Sequence, residues 1–256
     1  MKKFLVVALA AIMVFTLAAC GESSSTETTA EASKGTLIMG TNATFPPYES
    51  TDDQGNIIGI DPEIAQAICD KLGYTLEIKD MEFDSLLSAV QAGSVDMVLA
   101  GLTVTEERAQ SVNFSDSYAS GKQVIIVKEG SSIASVDDLA NAAAIGVQAG
   151  TTGDLYCTDD FGEDHVKQYT NGPLAIQALL NGQVDCVVID NNPAKEYVAA
   201  NEGLTILETS YVEEDYAIAI AKDNTELQAE INQALAELKA DGTIDTIVAK
   251  YINANN

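Results

Sequence analysis

GSVDMVLAG at residues 93–101 returns as GQVDCVVID at residues 182–190, each at the end of a helical stretch closing in Ala-Gly or Asn-Gly. Both read as buried strands that run into a loop. MGTN at 39–42 and IGVQ at 145–148 form a second matching pair of strand ends. Two matches in the same order describe two similar α/β lobes, not one continuous sheet.

Around these anchors, short β-type runs alternate with amphipathic helical stretches. TLIMG is strand-like, and DPEIAQAICDKLG places Ile64, Ala67, Ile68 and Leu72 on one helical face, with Asp61 as a cap, Pro62 in the first turn and Gly73 at the end. TLEIKDM predicts a strand and FDSLLSAVQAG a helix. After residue 123, QVIIVKEG, AAIGVQAG, QVDCVVID and LTILE predict strands, while SVDDLA and PLAIQALLNG predict helices. This alternation predicts parallel sheets covered on both faces. EEDYAIAIAKDN is β-like, and the two helices of TELQAEINQALAELKADGTIDTIVAKYI exceed what a second lobe needs. Their return to the first lobe would give two chain crossings, near Ala119 to Lys122 and near Glu213 to Ala217.

Ligands of open α/β sheets bind beyond the carboxyl ends of strands. The corresponding loops begin at Asn42, Gly101, Gln148 and Asp190, two from each lobe. In AGLTVTEERAQ, residues 100–110, Thr105 can cap a helix that carries Arg108, the only arginine of the chain. A helix N-terminus, the Thr103 hydroxyl and the Arg108 fork would receive a carboxylate; a surface ion pair of Arg108 with Glu106 or Asp116 is the other reading. Asp190 would accept from an ammonium group or cap the helix NNPAKEYVAA. Phe45 and Tyr48, on a loop stiffened by Pro46 and Pro47, and Phe83 would cover a ligand side chain or serve as core.

The two ends and the composition set the surroundings. Lys2 and Lys3, an apolar run from Phe4, and Leu-Ala-Ala before Cys20 read as a secretory signal over 1–19; the small residues before Cys20 resemble a bacterial lipobox, by which Cys20 would carry the lipid (palmitate among its acyl groups) that holds the domain at the outer face of a bacterial cell membrane, an ordinary signal cleaved nearby being the other reading. Residues 20–34 lack large apolar side chains and read as a tether. Loss of Lys2 and Lys3 leaves 11 basic against 39 acidic residues, a formal charge of −28, which argues against nucleic acid as a partner. One histidine, His165, and no CxxC spacing give a metal site or metal cofactor little to work with. Cys157 and Cys186 could pair or remain buried free thiols.

GTNATFPPYE, GIDPEIAQAICDKLG, MEFDSLL, AGLTVTEERA with NFSDSY, GVQAGTTGDLY, VDCVVIDNNPA and ADGTIDTIVAKY occur in that order. Together they resemble the extracellular solute-binding proteins for polar amino acids, the receptors of ABC importers. The resemblance covers nearly all of residues 35–254 and implies a type II periplasmic-binding-protein-like fold with two hinge crossings and a cleft between lobes. The lobes would be 35–120 plus 215–256, and 121–214. It implies that Arg108, Thr103 and the Gly101 backbone hold the ligand carboxylate, with Thr151 and Thr152. Asp190 would hold the ammonium, Phe45 and Phe83 would sandwich the side chain, and Asn42 and Gln148 would lie near its tip. Asn42 stands where several relatives carry aspartate, and Pro62 where the family has an aliphatic residue or threonine.

The reading is therefore a monomeric, non-enzymatic receptor that delivers a polar amino acid to a permease. A dehydratase-like enzyme on the same scaffold would need a positioned acid or base, for which Glu49 is the only glutamate placed near the pocket. A sensing domain that docks to another protein is the third reading.

Overall fold

The two repeated runs lie in two different sheets, each sandwiched between apolar layers. Along the first run Met97 and Leu99 face one core and Val98, Ala100 and Leu102 another; along the second Val187 and Ile189 face one side, Cys186 and Val188 the other. A strand that buries both faces needs this near-continuous apolar composition. The computed structural model describes residues 33–207 and 211–252; the expected signal, Cys20 and most of the tether lie outside the described residues.

The chain opens with β1 (Thr36–Thr41), β2 (Ser50–Thr51), β3 (Ile57–Ile58), α1 (Ile60–Leu72), β4 (Thr75–Asp80), α2 (Leu86–Gln91), β5 (Met97–Val98), α3 (Glu106–Ser111) and β6 (Val112–Phe114). It continues with β7 (Ala119–Lys128), β8 (Ile145–Gln148), α4 (Thr152–Phe161), β9 (Val166–Tyr169), α5 (Gly172–Leu180), β10 (Cys186–Asp190), α6 (Asn191–Ala200) and β11 (Leu204–Ile206). Then come β12 (Glu213–Tyr216), β13 (Ala219–Ala221), α7 (Thr225–Ala240) and α8 (Thr243–Tyr251). One sheet has the order β4-β1-β5-β13-β6 and the other β11-β7-β10-β8-β9. Both belong to one compact unit, Ala32–Asn256.

Two strands join the lobes. Residues 119–122 of β7 pair antiparallel with β12, Ala119 opposite Tyr216 and Lys122 opposite Glu213, while residues 123–128 pair with β10 and β11. The crossings are thus one hydrogen-bonded ribbon. Gly121 is required there, because a Cβ would fall on the Tyr216 hydroxyl. The tail returns as expected: Ile231 and Leu235 of α7 and Ile244 and Ile247 of α8 share a core with Ile64 and Ile68 of α1.

Three expectations are refined and one open alternative is decided. The sheets are mixed: β1 is parallel to β4 and β5, and β8 to β9 and β10, but β13 and β7 run antiparallel to their neighbours. Both enter their sheets from the crossing, so they run against the strands around them. The β-like segment 213–224 is two strands, one in the ribbon and one in the first sheet. Asp61 does not cap α1, whose N-cap is Gly59, two residues earlier; the buried Asp61 carboxylate accepts instead from the Gly101 N–H at 2.8 Å and the Tyr118 hydroxyl at 2.7 Å. Cys157 and Cys186 are free and buried, so the free-thiol alternative holds.

Candidate ligand-binding site

β1, β5, β8 and β10 deliver their ends to one closed cavity, lined by Asn42, Phe45, Glu49, Phe83, Ala100, Gly101, Thr103, Arg108, Gln148, Thr151, Thr152 and Asp190. Its free volume is about 10 Å³, room for roughly one water molecule, so the walls are drawn tight around it. The lobes touch around it: Gln148 Nε2 donates to Asn42 Oδ1 at 3.0 Å, Asn192 Nδ2 to the Tyr48 hydroxyl at 3.0 Å, and the Tyr197 hydroxyl to the Thr44 carbonyl at 2.5 Å.

Arg108 is held by its local sequence. Thr105 caps α3, its side chain accepting from the Arg108 N–H at 3.1 Å, which turns the guanidinium inward where it is 5% exposed. Nη1 donates to the Thr103 carbonyl at 2.7 Å, and Nη2 crosses to the Gly150 carbonyl at 2.9 Å. The guanidinium carbon stands 5.7 Å from the Phe83 ring centroid. Among the described residues no carboxylate lies within ion-pair distance of it, so the surface-pair reading fails. Burial lowers its pKa from the usual arginine range, with Glu214 opposing, yet a guanidinium in proteins stays charged.

Asp190 is a buried carboxyl without a cation among the described residues. It occupies the N-cap position of α6 without capping it, so that reading fails too. Oδ1 accepts from the Tyr216 hydroxyl and Oδ2 from Gln123 Nε2 at 2.9 Å. The same Gln123 amide donates to Glu214 Oε2 at 3.0 Å, and Thr103 Oγ1 donates to that oxygen at 3.1 Å. Burial, then the charge of Glu214, pushes Asp190 up to about 7. No lysine or arginine of the described residues pairs with it.

Several expected roles shift from one atom to another. The Gly101 N–H is taken by Asp61, leaving the carbonyl as the group Gly101 can offer a ligand. Gly101 has φ +53°, and a Cβ would lie 2.8 Å from the Phe45 ring, so only glycine fits. The Thr103 hydroxyl serves Glu214; its N–H has no protein acceptor among the described residues. The Thr151 hydroxyl donates to the Gln148 carbonyl at 2.8 Å and accepts from the Asp154 N–H, capping α4. The free donors at that helix start are the N–H groups of Thr152 and Gly153. The N-terminal residues of α3, Glu106 and Glu107, are exposed and outside the cavity lining, so α4 supplies the helix start that faces it.

Tyr48 is a correction. It is 1% exposed and absent from the lining: its ring stacks on Phe45 and meets Tyr216 edge-on, with centroids 5.9 and 5.1 Å away. It backs the wall that Phe45 presents. Glu49 is the reverse case, fully buried on the cavity wall with neither carboxyl oxygen receiving a hydrogen bond. Gln123, Glu214 and Asp61 were missed as supports, although a glutamine heading the apolar run QVIIV and a glutamate in a crossing strand were signals. Among the described residues no group of three His, Cys, Asp or Glu side chains could hold a metal.

Comparison with known proteins fits this arrangement. The model of the bacterial extracellular solute-binding proteins, family 3, matches residues 37–254. A probable histidine-binding protein of Neisseria gonorrhoeae is 35% identical over 98% of this chain and 96% of its own. The arginine-binding extracellular protein ArtP of Bacillus subtilis is 35% identical, covering 98% of each chain. The solved structure of an ancestral arginine-binding protein bound to glutamine superposes with a TM-score of 0.81 and 43% identity, over 86% of this chain and 98% of that one. With a family model spanning both lobes and relatives aligned nearly end to end, the chain belongs to the bacterial extracellular solute-binding proteins, family 3.

Proposed function

We propose that the cavity binds a free L-amino acid by its zwitterionic head group, preferring a cationic side chain, and that the protein is the substrate-binding component of an ABC importer. One observation carries this reading: a buried guanidinium without an anion and a buried carboxylate without a cation line one small cavity, and they are not paired with each other. Burying either charge alone is costly, and an α-amino acid supplies both missing partners. Arg108 and the N–H groups of Thr103, Thr152 and Gly153 receive the carboxylate; Asp190 and the Gly101 carbonyl receive the ammonium.

Phe45 and Phe83 cover the side chain, and Asn42 and Gln148 lie at its tip. Glu49 favours a cationic tip, since its unpartnered oxygens would find donors there. Residues 35–120 plus 215–256 form one closing body and 121–214 the other, moving about the β7–β12 ribbon. The closed form is presented to a permease. Cys20 carries the lipid that anchors the monomer outside the membrane, behind the signal 1–19.

A thermal-shift screen of the twenty amino acids tests the reading. A ligand at 100 times its Kd adds about 2.7 kcal/mol to stability, so arginine should give the largest shift among them. A flat response to all twenty would exclude amino acids as the ligand class.

A further inference from the structure

Glu49 is an unusual wall for a binding cavity. It is fully buried, both carboxyl oxygens lack a partner among the described residues, and the charged group nearest to it is another carboxyl, Asp61 of α1. The other titratable groups within reach are Asp190 at the end of β10, Asp80 at the end of β4, and the hydroxyls of Tyr48, Tyr118 and Tyr197. None of these is a cation. Arg108 lines the same cavity but gives its bonds to the Thr103 and Gly150 carbonyls.

The two carboxyls are not equivalent. Asp61 Oδ2 accepts from the Gly101 N–H and from the Tyr118 hydroxyl, which favours its ionised form, while its Oδ1 has no donor. Glu49 has no donor at either oxygen. A buried carboxylate with neither donor nor cation takes up a proton instead of bearing the cost of its charge, and the one acceptor waiting for such a proton is Asp61 Oδ1. Burial and the Asp61 charge accordingly push Glu49 well above the usual carboxylate range. The empty wall holds one proton and one negative charge across the pair.

We propose that Glu49, backed by Asp61, determines side-chain specificity by proton exchange: it stays protonated against a neutral amide tip and gives its proton to solvent when a guanidinium or ammonium tip arrives. The exchange balances. The neutral carboxyl loses H⁺ to water or buffer and becomes the carboxylate that accepts the N–H groups of the cationic tip. One cavity can thereby hold glutamine with Glu49 as a donor, or arginine with Glu49 as a counter-ion. This inference rests on the reading of the cavity as an amino-acid site.

Calorimetric titration of L-arginine and L-glutamine at pH 7, in buffers of different ionisation enthalpy, counts the protons released. Proton changes at Asp190 accompany both ligands, so they cancel in the difference. Arginine should release about one proton more than glutamine, and the ratio of the two affinities should rise with pH by up to about tenfold per unit while Glu49 is protonated in the empty site. Glu49→Gln, nearly isosteric with the neutral form, should erase the difference, weaken arginine at least tenfold and change glutamine less than threefold. Equal proton release by the two ligands in the wild type would overturn the proposal and leave amino-acid binding standing. Absence of binding by both would overturn the reading beneath it as well.

Discussion

The two poles of the cavity are built on opposite plans. Around Arg108 and Asp190 the polar side chains are already tied: Arg108 to two carbonyls, Asp190 to Tyr216 and Gln123, and Glu214 to Thr103 and Gln123. Two opposite charges nonetheless remain uncancelled, aimed by partners that fix their geometry. Around Glu49 the wall is buried but the carboxyl is unbonded, although Asn42 on the same wall is tied to the Met81 carbonyl, to the Thr44 hydroxyl and, across the lobes, to Gln148 at 3.0 Å. The first pole is preorganised for groups that every amino acid carries; the second is left open to what differs between them. Orientation held in advance by the protein need not be fixed again at binding, which is why the head-group pole should dominate affinity.

Breaking the head-group pole should therefore have the largest effect. Asp190→Asn keeps the shape but removes the carboxylate proposed to receive the ammonium. Leaving one partner of a buried ion pair alone costs about 3–5 kcal/mol, so calorimetry should find amino-acid binding weakened by 100-fold or more, with arginine and glutamine affected alike. Arg108→Lys comes next. It preserves charge but not the fork that spans Thr103, Gly150 and a ligand carboxylate, and a loss of about 1–3 kcal/mol is expected. A thermal melt of the empty protein should show the Arg108→Lys fold intact. Tyr48→Phe sharpens the comparison from behind the wall: the ring packing on Phe45 and Tyr216 survives, and only the bond from Asn192 is lost. The effect should stay within about 0.5–1.5 kcal/mol, seen as a shift toward the open form in small-angle scattering and not as altered ligand preference.

How much of this could be read from the chain follows the same division. The repeat GSVDMVLAG and GQVDCVVID placed two strand ends, and with them Gly101 and Asp190, because an apolar run buried on both faces has few alternatives. The crossings were legible because the tail carries two helices too many for the second lobe. What escaped was which atom of each residue faces the cavity. Asp61 looked like a helix cap by position, but the Gly101 N–H and the Tyr118 hydroxyl, 40 and 57 residues away, claim its carboxylate. Tyr48 looked like a ligand contact, but the crossing strand brings Tyr216 against its ring. β9 and β6, three or four residues each, carry too little pattern to be read alone. Such assignments depend on long-range partners, and local sequence does not carry them.

The central claim is that one cavity receives both charges of an amino-acid head group. Titration of the wild-type protein with L-arginine and with agmatine, the same molecule without its carboxylate, tests it most directly. The account predicts that arginine binds at least 100-fold more tightly, because agmatine leaves Arg108 and the N–H groups of Thr103, Thr152 and Gly153 without their anion. Equal affinity for the two would contradict it.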